Sequence, residues 1–529
     1  MMQYRPLVWG NNGMAATGHP AASVAALRIL MAGGNAIDAT IAVAGVLAVV
    51  KPAMCGLGGD CFALVYPAQT RRVEALNSSG AAPLKVSAEF LEAQGGLPTY
   101  GPLAMAVPGA VRGWATLLEK YGSGKFEFGQ LLAPAIELAR EGFPVSQVLE
   151  EFIQGAIGRL QKEQAWLDIF APGGIPLREG QKLRQPALAH TLQKLAAGGP
   201  DAFYTGEIAT LLAQDIKAAG GGLNDEDLAA FEPHWTTPLS VTYHGYQVYA
   251  QPPVSQGHIL LQELLMLADD DLTALGHNSA DTIHLMVEAK KLGFADRAHY
   301  TGDPKHINVP LERLLSPKYA RARRAEIDMQ HAHPEPQHGN WPGETDTTYF
   351  AVTDRDGNGV SFIQSLFHDW GSGFVSPQTG IIMNNRLSGF SLDRASPNFL
   401  LPGKRTVHTL TACLLTRDDG LAYLVGTPGA DAQVQTNVQN IVNMLHFGFN
   451  PQAAIEAPRF RSLPANTIAI ETRIPVAVRQ ELARRGHSIQ EVGDWWPETG
   501  GAQIIKVDNQ NGAFAGAADP RREGYAIGF

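Results

Sequence analysis

Apolar positions recur at a helical period early in the chain and at a period of two after residue 346, and this change of texture organises the sequence. Val24, Leu27, Leu30 and Met31 share one face between His19 and Gly34, where Gly33 and Gly34 supply a stop. A second helix is predicted over Asn35 to Val50; it is almost wholly small or apolar, so every side must be covered, and Pro52 ends it. Cys61 to Val65 reads as a short buried strand, and Arg71 to Leu76 as its partner across a turn. Helical patterns dominate from Val111 to Ala219, and strand patterns return at Leu239 to Ala250. Another helix is predicted over Ser279 to His299, with Asp281 as its cap.

From His331 to Glu344 the chain is rich in Pro, His and Gly and loses all periodicity, which reads as a mobile loop and the best candidate boundary. Thr347 to Thr353 and Val360 to Leu366 then alternate about an Asp-Arg-Asp-Gly-Asn turn, the pattern of a β-hairpin. Further strands are predicted at Gly380 to Met383, Thr409 to Thr416 and Ala422 to Val425, and a helix over Val434 to Phe447. Helices before and after strands, with long connections, indicate an α+β layered architecture.

Composition narrows the function. With 529 residues, 45% apolar and 17% charged, the chain buries a large core. A net charge of -10 offers no general attraction to phosphate backbones or anionic lipid, so nucleic acid and membrane are not expected partners, and an anionic substrate must be met by local arginines. The longest apolar run, Ala39 to Val50, is too short to span a bilayer. The three cysteines, Cys55, Cys61 and Cys413, have no disulfide or zinc spacing and are expected to be buried in a reducing compartment. Met1 to Gly13 has no apolar secretory core, so cytoplasm is the default expectation. No cofactor is expected, and no metal: His331, His333 and His338 lack a carboxylate or cysteine at ligand spacing. GLGGDCF, residues 56 to 62, lacks the lysine of a phosphate loop and reads as close backbone packing.

Thr347 opens a strand directly after the aperiodic segment. By pattern alone that is also how an ordinary β-branched strand begins. A threonine hydroxyl becomes a nucleophile when a base takes its proton, and its own α-amine can be that base once the Asp346–Thr347 bond is cut. Such an amine titrates near about 7.7 to 8.0.

The sequence resembles the γ-glutamyltransferase family over nearly its whole length, from NGMAATGHPAAS (Asn12 to Ser23) to AADPRREG (Ala517 to Gly524). GGNAIDATIAV, GLGGDCF, VPGAVRGW, FADRAHYTGDP, DTTYFAVTDRDGN and GTPGADAQ carry the match between them, in family order. The resemblance implies the αββα four-layer sandwich of N-terminal-nucleophile hydrolases. It also implies self-cleavage into a large subunit, 1–346, and a small subunit, 347–529, intertwined in one unit and assembled as a possible dimer of heterodimers. By position it makes Thr347 the nucleophile, Ser365 its hydrogen-bonding partner, and Gly429 with Ala430 the oxyanion hole, whose backbone N–H groups are all that is needed.

Departures from the family point to a different ligand. The carboxylate-gripping arginine position holds Ser79, the ammonium-binding positions hold Phe367 and Gly389, a glutamine becomes Arg386, and paired serines become His408 and Thr409. An amino-acid head group therefore loses its partners, and a buried charge left so costs several kcal/mol. Phe367 and Trp370 narrow the pocket in this reading, while Arg386 offers a planar fork for one carboxylate, with His408 and Thr409 as polar contacts. Arg386 can equally pair with an acid on a neighbouring strand, and Arg405 is read as a structural ion pair. Within the family the pattern resembles oxamate amidohydrolases, which implies a small amide substrate, oxamate, converted to oxalate and ammonia in purine-ring breakdown. γ-Glutamyl transfer or glutathione hydrolysis, a cephalosporin-acylase-like activity and a non-catalytic binding role are the competing readings.

Overall fold

The computed structural model describes residues 4–333 and 346–529. Its centre is two seven-stranded sheets, antiparallel throughout. The first sheet runs Tyr525–Gly528, Gly13–Thr17, Asp346–Asp354, Gly359–Phe367, Asp60–Tyr66, Glu74–Ser78 and His234–Thr236. The facing sheet runs Val8–Gly10, Ala513–Ala518, Gln503–Asp508, Gly420–Gly426, Ala412–Arg417, Tyr246–Ala250 and Leu239–Tyr243.

Alternation along the strands sorts side chains into three cores, because neighbours point to opposite faces. Tyr349, Ala351, Phe62, Leu64, Ile363, Leu414 and Leu424 meet between the sheets. Phe350, Val352, Ala63 and Val65 turn outward under a helical layer that includes Ala36–Val50 and Phe128–Glu141. Cys413, Leu415, Val425 and Ile504 turn the other way, under Gly257–Leu267, Ala280–Tyr300 and Ala432–Leu445. The order is helix, sheet, sheet, helix: the αββα sandwich. Each large apolar side chain so buried contributes roughly 1.5–3 kcal/mol.

Ala36–Val50 is buried along its whole length, as its composition requires. Asn35 caps it in a reciprocal box with Asp38, and Asp354 of the hairpin turn accepts the Ala36 N–H at 2.8 Å. The predicted hairpin is present as Asp346–Asp354 against Gly359–Phe367. Both sheets draw strands from either side of residue 346. All three cysteines are buried and unbonded to one another. Among the described residues, no helix is long and apolar enough to cross a membrane.

Three expectations change. Gly380 to Met383 forms only isolated bridges, Val375 to Ile382 and Gly58 to Met383, because neither neighbour runs on as a ladder. Ser279, not Asp281, caps Ala280–Tyr300, its side chain accepting the Thr282 N–H; the Asp281 carboxylate instead meets Arg485 at 2.5 Å. Strands at Gly13–Thr17, Gln503–Asp508, Ala513–Ala518 and Tyr525–Gly528 escape the sequence reading: alanine and glycine carry little periodic contrast in three of them, and in Gln503–Asp508 the adjacent Ile504 and Ile505 break the alternation. Most of the candidate boundary loop, residues 334 to 345, with His338, lies outside the described residues. His331 and His333 are exposed.

Candidate active site

Thr347 sits in a break of the hairpin register. Asp346 pairs with Phe367 and Thr348 with Gln364, so Ser365 and Leu366 together oppose Thr347. Such a bulge re-aims a side chain locally. Thr347 is buried, and its hydroxyl donates to Ser365 Oγ at 3.3 Å. Ser365 Oγ also accepts the Phe367 N–H at 2.8 Å. The two residues paired by homology are thus adjacent in space.

The glycine run explains how Ser365 is held. A Cβ on Gly59 would stand 2.4 Å from the Ser365 carbonyl oxygen, and one on Gly58 would stand 2.2 Å from that of Ile382. Only hydrogen fits there, so the run packs backbone on backbone as expected.

Gly429 and Ala430 form a left-handed turn, φ 119° and 52°, immediately before Ala432–Leu445. Gln256 Nε2 donates to the Ala430 carbonyl at 3.4 Å and to that of Thr409 at 2.8 Å. Arg297 bonds both Gln256 Oε1 and the Asp431 carboxylate, which fixes the turn from outside. Burial of Asp431 opposes its ionisation, but the Arg297 guanidinium outweighs this and holds the carboxyl below its usual range. A left-handed alanine costs about 1 kcal/mol. Ala430→Gly is expected to raise the unfolding free energy by roughly 0.5–1 kcal/mol, read from the denaturant midpoint.

The second cluster surrounds Arg386, which is wholly buried. Its Nε donates to Asp60 Oδ2 at 3.1 Å, and its guanidinium lies 4.3 Å from the centre of the Phe367 ring. Phe367 is held at φ 88°, a strained backbone for a bulky residue. Burial pushes the Arg386 guanidinium down to about 10, still protonated near neutrality. Burial likewise pushes the Asp60 carboxyl up, against the pull of Arg386. Both terminal nitrogens of Arg386, both ring nitrogens of His408 and the Thr409 hydroxyl are buried without a hydrogen-bond partner among the described residues, and His408 Nε2 lies 3.7 Å from Asp60 Oδ2. Burial, with Arg386 and Arg405 close by, pushes the His408 imidazole well down, so the ring is neutral.

Asp60 was not singled out from the sequence, although it stands within GLGGDCF and pairs across the ladder with Ser365. That register places the anchor of Arg386 beside Ser365, which bonds Thr347. The structural reading of Arg386 is met, since it pairs with an acid on a strand, Asp60, and its two terminal nitrogens make no hydrogen bond among the described residues. Among the described residues, Arg405 makes no carboxylate bond through its side chain; Nε donates to the Ser79 carbonyl at 2.8 Å and Nη2 to that of Glu232. Ser79 Oγ donates to Asn77 at 2.7 Å, and a Cβ on Gly389 would stand 3.6 Å from the Phe367 ring. Trp370 leaves the expected pocket wall: it packs on Trp166 and Phe170 in the helical core, its Nε1 on the Phe152 carbonyl.

Gln433 was also missed. It is buried, and its Nε2 lies 3.4 Å from Thr347 Oγ1. A cleft of about 890 Å³ borders Gly429, between Phe152 and Asp369 on one side and Trp495 and Arg522 on the other. Among the described residues, one group has metal-ligand spacing: His284, Glu288 and His487, all buried. The Lys291 ammonium bonds Glu288 Oε1 at 2.7 Å and already supplies that group's cation.

Comparison with known proteins agrees with this geometry. The family model described as gamma-glutamyltranspeptidase matches residues 22–529. A "glutathione hydrolase-like YwrD proenzyme" of Bacillus subtilis is 38% identical over 99% of each chain. An "oxamate amidohydrolase proenzyme" of Klebsiella pneumoniae is 35% identical over 98% of each. The crystal structure of a cephalosporin acylase from Bacillus halodurans superposes with a TM-score of 0.94 at 40% identity, over 100% of this chain and 98% of that one.

Proposed function

The chain belongs to the gamma-glutamyltranspeptidase family, and from that premise we propose that it is a self-cleaving amidohydrolase for small amides whose acyl half carries a carboxylate, oxamate first among them. The carrying observation is the buried set of Arg386, His408 and Thr409, whose five polar atoms make no hydrogen bond among the described residues, with His408 Nε2 3.7 Å from Asp60 Oδ2. Unsatisfied buried groups cost roughly 1–3 kcal/mol each, more when charged, and their persistence points to a ligand that completes them. A carboxylate does so: the guanidinium fork takes both oxygens, and the neutral imidazole and the hydroxyl each have a hydrogen to donate. The set holds no carboxylate to receive an α-ammonium beyond Asp60, which Arg386 already occupies.

In this reading Thr347 Oγ first attacks the Asp346 carbonyl carbon, and the backbone C–N bond breaks as the nitrogen takes a proton. Water then hydrolyses the ester, freeing the carboxyl of Asp346 and the hydroxyl of Thr347, whose amine the first step released. In turnover that amine takes the hydroxyl proton, Oγ adds to the amide carbon, and the N–H groups of Gly429 and Ala430 receive the oxyanion. The amine returns the proton to the departing nitrogen, and water releases the acid. The cephalosporin-acylase likeness and the broad cleft at Gly429 favour one second reading, a cephalosporin-acylase-like hydrolase acting on bulkier acyl side chains.

The test compares ammonia release from oxamate with release of chromophore from a γ-glutamyl anilide. Oxamate is expected to be turned over with kcat/KM at least about 100-fold above the anilide, the difference worth roughly 2.8 kcal/mol. Turnover of the anilide without oxamate overturns the substrate.

A further inference from the structure

We infer that Gln433 is a catalytic hydrogen-bond donor to the nucleophile, fixing the direction of its hydroxyl proton and stabilising charge on Thr347 Oγ. The inference rests on the self-cleaving reading above.

Gln433 is the second residue of Ala432–Leu445, close behind the oxyanion turn, and is wholly buried. An amide can in principle point either end at a neighbour, and the hydrogen-bond network decides which. Here Oε1 accepts the Thr411 main-chain N–H at 2.9 Å. Thr411 N is a fixed donor, one residue before Ala412–Arg417 in the facing sheet. Nε2 must therefore face Thr347 Oγ1, at 3.4 Å. An amide nitrogen donates and never accepts, so the Thr347 hydroxyl cannot spend its proton on Gln433. That proton goes toward Ser365 Oγ, itself held by the Phe367 N–H. The chain of bonds has one polarity: Gln433 gives to Thr347, and Thr347 gives to Ser365.

This polarity suits each step in which Oγ carries negative charge. When Oγ loses its proton and bonds to carbon, the Gln433 N–H compensates the charge. When the ester breaks, Oγ leaves with the electron pair of the C–O bond, and the same N–H stabilises it until a proton arrives. Neither step needs Gln433 to gain or lose a proton. Thr411 also gives its hydroxyl to the Thr409 carbonyl at 3.2 Å, so the backbone that holds Gln433 is also the backbone that carries the anion contact.

The uncut chain provides the measurement, with self-cleavage followed on denaturing gels from the moment of refolding. Gln433→Met keeps length and volume but donates nothing, and is expected to slow cleavage at least about tenfold, toward the roughly 100-fold that loss of one such donor costs elsewhere. Gln433→Glu keeps the acceptor for Thr411 and loses the donor when ionised, yet regains one as a protonated acid. Its rate relative to wild type at each pH is expected to rise as pH falls through the buried carboxyl's titration. Among the described residues, Asp431 and Arg297 stand at this helix end paired with each other, and the Lys290 and Arg461 cations also act on Asp431. A packing role would not produce that recovery. A folded Gln433→Met chain cutting within twofold of wild type, or a Gln433→Glu ratio flat with pH, overturns the inference. A wild-type chain that never cuts overturns the self-cleaving reading itself.

Discussion

Replacing Thr347 with alanine is expected to leave a single chain of 56.7 kDa on a denaturing gel, where the wild type resolves into bands of about 37 and 20 kDa by residue proportion. Amide hydrolysis should fall by a factor on the order of 10⁴ or more, since the nucleophile and the amine it liberates vanish together. The side chain is buried and small, so its loss removes a hydroxyl rather than a piece of core. Thr347→Ser is the control. It keeps the Oγ within reach of Ser365 and Gln433 and should cut more slowly but completely. A two-band gel from Thr347→Ala would place the scission, and the nucleophile, elsewhere.

The second large effect is expected at Arg386, and it needs a paired substitution to be legible. Removing the guanidinium alone leaves Asp60 ionised and buried without its partner, which costs about 3–5 kcal/mol of stability and confounds any kinetic reading. Arg386→Gln with Asp60→Asn removes both charges at once; Asp60→Asn is isosteric, while Arg386→Gln keeps a polar end on a shorter side chain. The double variant is expected to fold and cut itself normally, while KM for oxamate rises at least about 100-fold, since a charge-assisted bond contributes roughly 1.5–3 kcal/mol. Steady-state ammonia release and the gel report the two properties separately. An unchanged KM would show that the substrate carboxylate is held elsewhere.

The residues proposed to react were legible in the sequence because they sit in short contiguous motifs. Thr347 opens an alternating strand after an aperiodic segment, and Gly429 with Ala430 stands in a turn just ahead of a helix. Ala36–Val50 was equally plain, since an uninterrupted apolar run with an Asn cap has one stable solution. Ser79, Phe367, Arg386 and His408 were visible as departures from a known pattern. What they do together was not, because their side chains meet only when strands remote in sequence are laid side by side.

Asp60 shows the difference most clearly. Its neighbours in sequence are glycines and a cysteine, and nothing local marks it as the anchor of a guanidinium 326 positions away. The antiparallel register of Asp60–Tyr66 against Gly359–Phe367 places it opposite Ser365, and burial then requires a countercharge. Gln433 was hidden in the same way, its orientation set by a main-chain N–H of the facing sheet. Trp370 erred in the other direction, for an aromatic beside a pocket residue in sequence turned into the helical core. Local sequence determined which elements form and which residues carry reactive groups, because periodicity, capping and turn chemistry act over a few residues. The tertiary structure alone decided which of those groups stay unpaired and which way each hydrogen bond points, because both depend on strand register and on what the other layer presents.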